Sequence, residues 1–402
     1  MSEWPGAQNR AVVATILLAA LGVLQPGIDP VFLTLLTLVH RVPPIDHGWF
    51  VAASQIGMAI GSLIIWRKGS EITAGQFAGL ALGACVAAVA TVEIQSVRAL
   101  LLTRAGYGFF MGMLYAHAMS AASAHRPTNA YGAVFLVQLL LSTILALLLP
   151  SVAVLAGPRP ALAALCLVPL TAFGLVVWRN RAAAQNGRRS YDPPDSGERH
   201  PVPRPAWAMA LATLLFIMAT MMVWSFTGAL AIAAHIDTGV IAEAVAIGSF
   251  AGAVTAAMVM RDRPLLSLPV TGLLAAPALL APMAAAANGD GTLFVAAVIL
   301  LNIGSTAIII RSSGTAAAMS HDIVFRRLVV CTHSVGMIAG PVIASAAAYL
   351  MGGVGLPVAA VTAVVAGFVA LLIGSYGSRT TNMGQRQPGP ETQPYLCAPP
   401  HG

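Results

Sequence analysis

Twelve long apolar runs follow one another along this chain, at about 11–39, 48–66, 72–92, 98–123, 130–150, 160–178, 206–234, 239–260, 264–287, 292–318, 325–350 and 354–376. A helix needs about 20 apolar residues to cross about 30 Å of hydrocarbon, and most of these runs reach that length. Polar material is scarce: charged residues make up 9% of the 402 and hydrophobic residues 58%. A water-soluble domain needs far more charge to cover its surface, so most of this chain must face lipid or pack within a bilayer. Turn residues and charges separate several runs, as in His40-Arg41-Val42-Pro43-Pro44, Arg67-Lys68-Gly69, Arg126-Pro127-Thr128-Asn129 and Arg261-Asp262-Arg263-Pro264. Strands of a membrane barrel would alternate apolar and polar residues, and these runs do not. Helices close their own backbone hydrogen bonds in lipid. The expected fold class is therefore all-α integral membrane, with twelve transmembrane helices. The first run is too long for a signal-peptide core and leads into eleven more, so it reads as a retained helix.

Charge placement sets the expected topology. The chain carries 21 Lys and Arg against 14 Asp and Glu, a net charge of +7. With the N-terminus inside, sixteen of the 21 fall in inner loops and tails and three (Arg41, Arg98, Arg159) in outer loops. Arg104 and Arg311 lie within runs. That bias predicts a multi-pass protein of the cytoplasmic membrane with both termini cytoplasmic. Basic residues confined to loops between spans give no reason to expect nucleic acid as a partner. The four cysteines (Cys85, Cys166, Cys331, Cys397) include no C-x-x-C, so neither a disulfide framework nor a zinc site is implied.

Residues 179–205 break the apolar pattern with six runs on either side. The expected division is a six-helix bundle over 1–178, a cytoplasmic loop over 179–205, a second six-helix bundle over 206–376, and a disordered cytoplasmic tail over 377–402. Ile56-Gly57-Met58-Ala59-Ile60-Gly61 in run 2 returns as Ile247-Gly248-Ser249-Phe250-Ala251-Gly252 in run 8, offset by 191. Pro150 and Pro341, in runs 5 and 11, share that offset. A 6+6 repeat about an axis along the membrane normal is a transporter arrangement.

Here the chain resembles the major facilitator superfamily over nearly its whole length. Gly336-Met337-Ile338-Ala339-Gly340-Pro341 is similar to that family's Gly-x-x-x-Gly-Pro segment. Arg104-Ala105-Gly106-Tyr107-Gly108 resembles its Arg-x-x-x-Gly motif, with Phe110 where a second glycine is usual. The basic signature after span 2 is reduced to Arg67-Lys68-Gly69, and its counterpart after span 8 to Asp262-Arg263. The resemblance implies two pseudo-symmetric bundles and departs from the usual loop-based conformational lock.

Soluble-enzyme motifs are missing, so no enzymatic activity and no cofactor or metal is expected. Gly106-Tyr107-Gly108 with Gly112 has the wrong spacing for a nucleotide fingerprint and falls within a span, where it reads as helix packing. Intramembrane polar residues are the informative ones, because each needs a partner or a wet cavity. Asp29, within Gln25-Pro26-Gly27-Ile28-Asp29-Pro30, should sit in an interrupted helix. Arg104 lies at a similar depth, about two turns from the outer end, and is a candidate partner for it. The pair reads either as a proton-sensitive element of the solute path or as a structural bridge. Arg311 either anchors an anionic solute or snorkels to the interface. His117 and His333 are proton-relay candidates or neutral core groups. Gln138 and Asn302 either contact solute or join helices, and Trp224 lines a cavity or packs.

The expected function is secondary active transport of a small organic solute, with a lean to organic anions, by alternating access and coupled to protons. Its partners would be the solute, protons and the bilayer, with the protein a monomer. The competing readings are drug or organic-cation efflux with Asp29 as the cation site, and a transporter-like sensor or assembly factor. A passive channel would show a repeated filter or a ring of like charge, and neither is present.

Overall fold

The computed structural model describes residues 6–43, 47–69, 72–124, 126–185, 201–261, 265–320 and 322–384. Asp262, Arg263, Pro264, Arg188, Arg189, Arg199, Arg386 and Cys397 lie outside the described residues. So do most of the central loop and of the tail.

Each apolar run becomes one helix or a pair of helices. Run 1 gives α1 (Gly6–Gly22) and α2 (Gln25–His40). Runs 2–5 give α3 (His47–Lys68), α4 (Ala74–Glu93), α5 (Val97–Ala122) and α6 (Pro127–Ala156). Run 6 gives α7 (Pro158–Ala164) and α8 (Leu167–Gln185). The second half supplies α9 (Arg204–Ala233), α10 (Thr238–Val259), α11 (Leu268–Ala286), α12 (Gly291–Ala318) and α13 (Ile323–Met351). A short 3-10 turn (Gly352–Val354) then leads into α14 (Gly355–Gly384). Nine stretches among the described residues are long and apolar enough to cross a membrane, and one of them (Ile323–Gly377) holds α13 and most of α14. Run 1 contributes two shorter apolar helices instead. Helices α8 and α14 continue past 178 and 376, into sequence expected to be loop and tail.

The break in run 1 comes earlier than the prolines alone suggest. Pro26 lacks an N–H, so the Gly22 carbonyl has no i+4 donor. The chain tightens there, with Leu24 N–H bonding the Leu21 carbonyl and Gly27 N–H the Leu24 carbonyl. Helix α2 then starts with Pro26 in its first turn, where no donor is needed.

Carboxylates do most of their work at helix starts. Asp237, Asp290 and Asp322 each cap the helix that follows, accepting from Gly239 N, from Thr292 N and Leu293 N, and from Val324 N and Phe325 N. Glu93 pairs with Arg159 between exposed helix ends, at 2.5 Å. Among the described residues, Asp29 is the one buried carboxylate.

Helix pairing in the first half recurs in the second. Helices α3, α4 and α1 pack on α5 as α10, α11 and α9 pack on α12. The halves meet along α3 with α13 and along α6 with α10, which are corresponding pairs under the 191-residue offset. Gly57 and Gly108 carry the closest approach. A Cβ on either would collide with a backbone carbonyl of the facing helix, Ala105 for Gly57 and Ser54 for Gly108. Gly248 lies against Val298 and Asn302 of α12, the matching place in the second half. Gly336 and Gly340 seat α13 on Ile217 and Met218 of α9, so that glycine pair is a packing device here.

Candidate functional site at the broken first segment

Residues 25, 29 and 32 of α2 share one helical face, three to four residues apart. Asp29 Oδ1 accepts the Gln25 amide at 2.8 Å. Arg104, on α5, is 3% exposed and donates from Nε to Ser54 Oγ at 3.2 Å. Its guanidinium stacks 4.3 Å from the Phe32 ring and 4.5 Å from the Tyr107 ring. Asp29 and Arg104 therefore share a neighbourhood through Phe32, but the expected direct ion pair is not formed. The one ion pair among the described residues is Glu93 with Arg159. Equal depth did not suffice, because Gln25 lies one turn before Asp29 and Ser54 faces Arg104 across the α3–α5 contact.

Gln25, Phe32, Arg104, Tyr107 and Cys166 line a cavity of about 20 Å³, whose walls all come from the first half. That is room for about one water. Arg104 Nη2 is buried beside it without a hydrogen-bond partner.

The other face of α2 meets the seam between the halves. Gly27 abuts Ser142 and Gln138 of α6, and a side chain there would overlap Ser142 Oγ. Both residues are buried, and Ser142 Oγ and Gln138 Oε1 have no hydrogen-bond partner. Pro30 has no N–H, so the Pro26 carbonyl loses its helical donor. Trp224, from α9 of the second half, supplies one through Nε1 at 3.3 Å. The broken segment thus gathers polar groups from α2, α6 and α9 at one level of the seam.

Toward the basic face, where α3 ends at Arg67 and Lys68 and α13 begins with Arg326 and Arg327, α13 closes the seam. His333 is 3% exposed and contacts Ser313 Oγ through Nε2 at 2.9 Å. It inserts among first-half aromatics, stacking on Tyr131 at 5.4 Å with Phe135 and Tyr115 alongside. Ser334 meets Ser62 at 2.8 Å, and the Cys331 thiol donates to the Ser62 carbonyl at 3.1 Å. Nearer the helix ends, Arg326 Nη1 donates to the Ala124 carbonyl just past α5, at 3.1 Å. Arg327 lies against Gly69 at the end of α3. Cations beside helix C-termini are favourably placed.

Three candidates face elsewhere. His117 packs on Phe77 of α4, with ring centroids 4.4 Å apart, inside the first half. Asn302 donates to the Val298 carbonyl of its own helix at 3.0 Å, against α10. Arg311 bonds Thr271 and the Ser267 carbonyl at the start of α11. Asp29 and Arg104 are neighbours with separate hydrogen-bond partners, Gln138 and Trp224 meet the broken segment at the seam, and His333 sits deeper in it. Sequence reasoning missed Ser142, Ser62, Ser334 and the Arg326-Arg327 pair. Small hydroxyls are common in membrane helices and carry no signal, and the arginines read as loop charge.

No protein-family model and no curated protein matches the sequence. Solved structures do match. The human organic anion transporter MFSD10 (TETRAN) superposes with a TM-score of 0.64 at 13% identity, covering 92% of this chain and 100% of that one. A bacterial homolog of the human lysosomal transporter Spinster, in an inward-facing and occupied conformation, gives 0.61 at 14% identity over 96% of this chain and 100% of that one. The major facilitator superfamily transporter FucP, in the outward conformation, gives 0.61 at 14% over 92% and 99%. Together with the helix pairing described above, these likenesses show that the chain has the fold of the major facilitator superfamily.

Proposed function

We propose that this protein is a secondary transporter of a small organic solute, working by alternating access. The observation that carries the reading is the polar cluster at the broken segment, where Ser142 Oγ and Gln138 Oε1 are buried and unpartnered at the seam. Buried polar atoms are normally satisfied, and a solute or water entering between the halves would satisfy these. In this reading two six-helix units, over 1–178 and 206–376, rock about the cluster as the seam at α13 opens and closes. The basic face is cytoplasmic by the positive-inside bias, which puts both termini in the cytoplasm of a cell-membrane protein. Protons are the coupling ion, with Asp29 as carrier, and the unit is a monomer.

A small organic anion is the solute class we put first. Of the two opposite charges buried near the broken segment, Asp29 has already taken the Gln25 amide, whereas Arg104 keeps an unpartnered terminal nitrogen. Organic-cation efflux at Asp29 is the second reading, favoured by Asp29 being the one buried carboxylate among the described residues.

Thermal unfolding of detergent-solubilised protein against organic acids and organic cations tests both, because a ligand of the folded state raises the melting point. Stabilisation by acids that Arg104→Gln abolishes supports the anion reading. Stabilisation by cations that Asp29→Asn abolishes supports the other. A response to neither class, with no solute uptake by proteoliposomes, would overturn transport and leave a sensor or assembly role.

A further inference from the structure

Helices α3 and α4 both pack on α5 and leave a crevice of about 490 Å³ between them, near the basic face. That volume lies within the range of about 300–1,000 Å³ usual for ligand sites. Its polarity is graded along the helix axes. Lys68, in the last turn of α3, and Gln76, in the first turn of α4, stand at the mouth. Ile64, Leu80, Phe110 and Met113 form the deeper wall. The inner end is stopped where the Phe110 ring rests on Gly83, whose Cβ would lie 2.8 Å from the ring. From Gln76 to Gly83 the crevice runs along two helical turns, about 10 Å at the usual rise.

The mouth is built to donate. Gln76 is fixed by the capping box of α4, with Oε1 accepting from Thr73 N at 2.9 Å and from Thr73 Oγ1 at 3.2 Å. Its acceptor is thereby occupied, and the amide N–H groups are what it offers outward. Lys68 is exposed, and the described lining holds no carboxylate. Trp66 and Arg67 precede Lys68, with the Arg67 guanidinium 5.5 Å from the Trp66 ring. Such residue types settle at headgroup level, so the mouth lies where phosphates lie and the wall where acyl chains lie. Gly79 borders open space in the crevice: a Cβ there would meet nothing within 4 Å.

We propose that this crevice binds an anionic phospholipid from the leaflet on the basic face. One acyl chain lies between α3 and α4, and the headgroup phosphate meets the Lys68 ammonium and the Gln76 amide. The match is one of charge at the mouth and of apolar surface below it, the combination that draws anionic lipid to basic sites at a membrane protein's edge.

The test is native mass spectrometry of the full chain in detergent, equilibrated with equal amounts of phosphatidylglycerol and phosphatidylcholine of the same chain length. The wild type is expected to retain phosphatidylglycerol several-fold over phosphatidylcholine. Lys68→Gln should abolish that preference. Gly79→Leu, which fills the crevice, should lower retention of both lipids several-fold without changing the melting temperature measured free of lipid. Equal retention of the two lipids by the wild type would overturn the proposal, as would a preference that survives Lys68→Gln or retention that survives Gly79→Leu. Lys68 is exposed at a helix end, so its variant decides the matter even if Gly79→Leu fails to fold.

Discussion

The indole of Trp224 reaches across the seam to the carbonyl of Pro26, an acceptor that Pro30 leaves without a helical donor. One bond thus ties a tryptophan of the second half to the proline-rich start of α2. Trp224→Phe keeps most of the ring and removes the donor. Loss of one such bond costs about 1 kcal/mol net, and somewhat more when the acceptor stays buried. We expect Trp224→Phe to lower stability by about 1–2 kcal/mol, and thermal unfolding would show it. An unchanged melting point would mean that water replaces the indole at no cost.

Arg104 offers a second test. Arg104→Met leaves Asp29 without a nearby cation and Ser54 without its donor. Removing this buried donor and leaving its hydroxyl partner unsatisfied is expected to cost about 1–3 kcal/mol. Adding Asp29→Asn should recover part of the loss, because the uncompensated carboxylate goes while Gln25 keeps an amide oxygen to bond. The recovered part should be smaller than for a contact ion pair, since Asp29 and Arg104 do not touch. A double-variant cycle on the melting curve measures the coupling directly.

Two glycines of α5 should respond oppositely to alanine. Gly108 lies on the Ser54 carbonyl, and a methyl there must push α3 away. Such overpacking costs about 1–3 kcal/mol and should lower the yield of folded protein. Gly106 faces open space, so Gly106→Ala should be neutral or gain up to about 1 kcal/mol from helix propensity. Equal effects at the two sites would mean that α3 and α5 are held less tightly than the Gly108 contact requires.

Closure at the basic face can be followed at Cys331. It is 1% exposed and bonds the Ser62 carbonyl across the seam. Arg326→Ala removes the link to the Ala124 carbonyl. With the other three cysteines changed to serine, Cys331 should then react several-fold faster with a membrane-permeant thiol reagent. An unchanged rate would place the closing energy elsewhere on α13.

How far the sequence could be read follows from what fixes each feature. The apolar runs and the offset of Gly57-Gly61 from Gly248-Gly252 depend on period and composition alone, and both correspond to helices and helix pairings in the structure. Asp29 and Arg104 were legible as costly residues within apolar sequence, and both are buried. Their pairing was not legible, because depth along a helix says nothing about azimuth. Gln25 and Ser54 decide which way each charge turns. The two histidines make the same point. His117 and His333 are one residue type at similar depth, yet one packs on Phe77 within its own half and the other enters the seam. Residues 188, 189, 199, 262 and 263 lie outside the described part, so only the charge bias speaks for them.

The break between α1 and α2 changes the mechanics of the first segment. A continuous helix transmits bending along its whole hydrogen-bond ladder, and here the ladder stops at Val23-Leu24. The first apolar run is therefore two short rods joined by a two-residue link, with Trp224 holding the start of the second. The α3–α5 pair beside it cannot slide, since its backbones are already in contact. Any change of shape in the first half is cheapest at that link, where a small swing of α2 would carry Gly27 and Asp29 together, like the short arm of a lever.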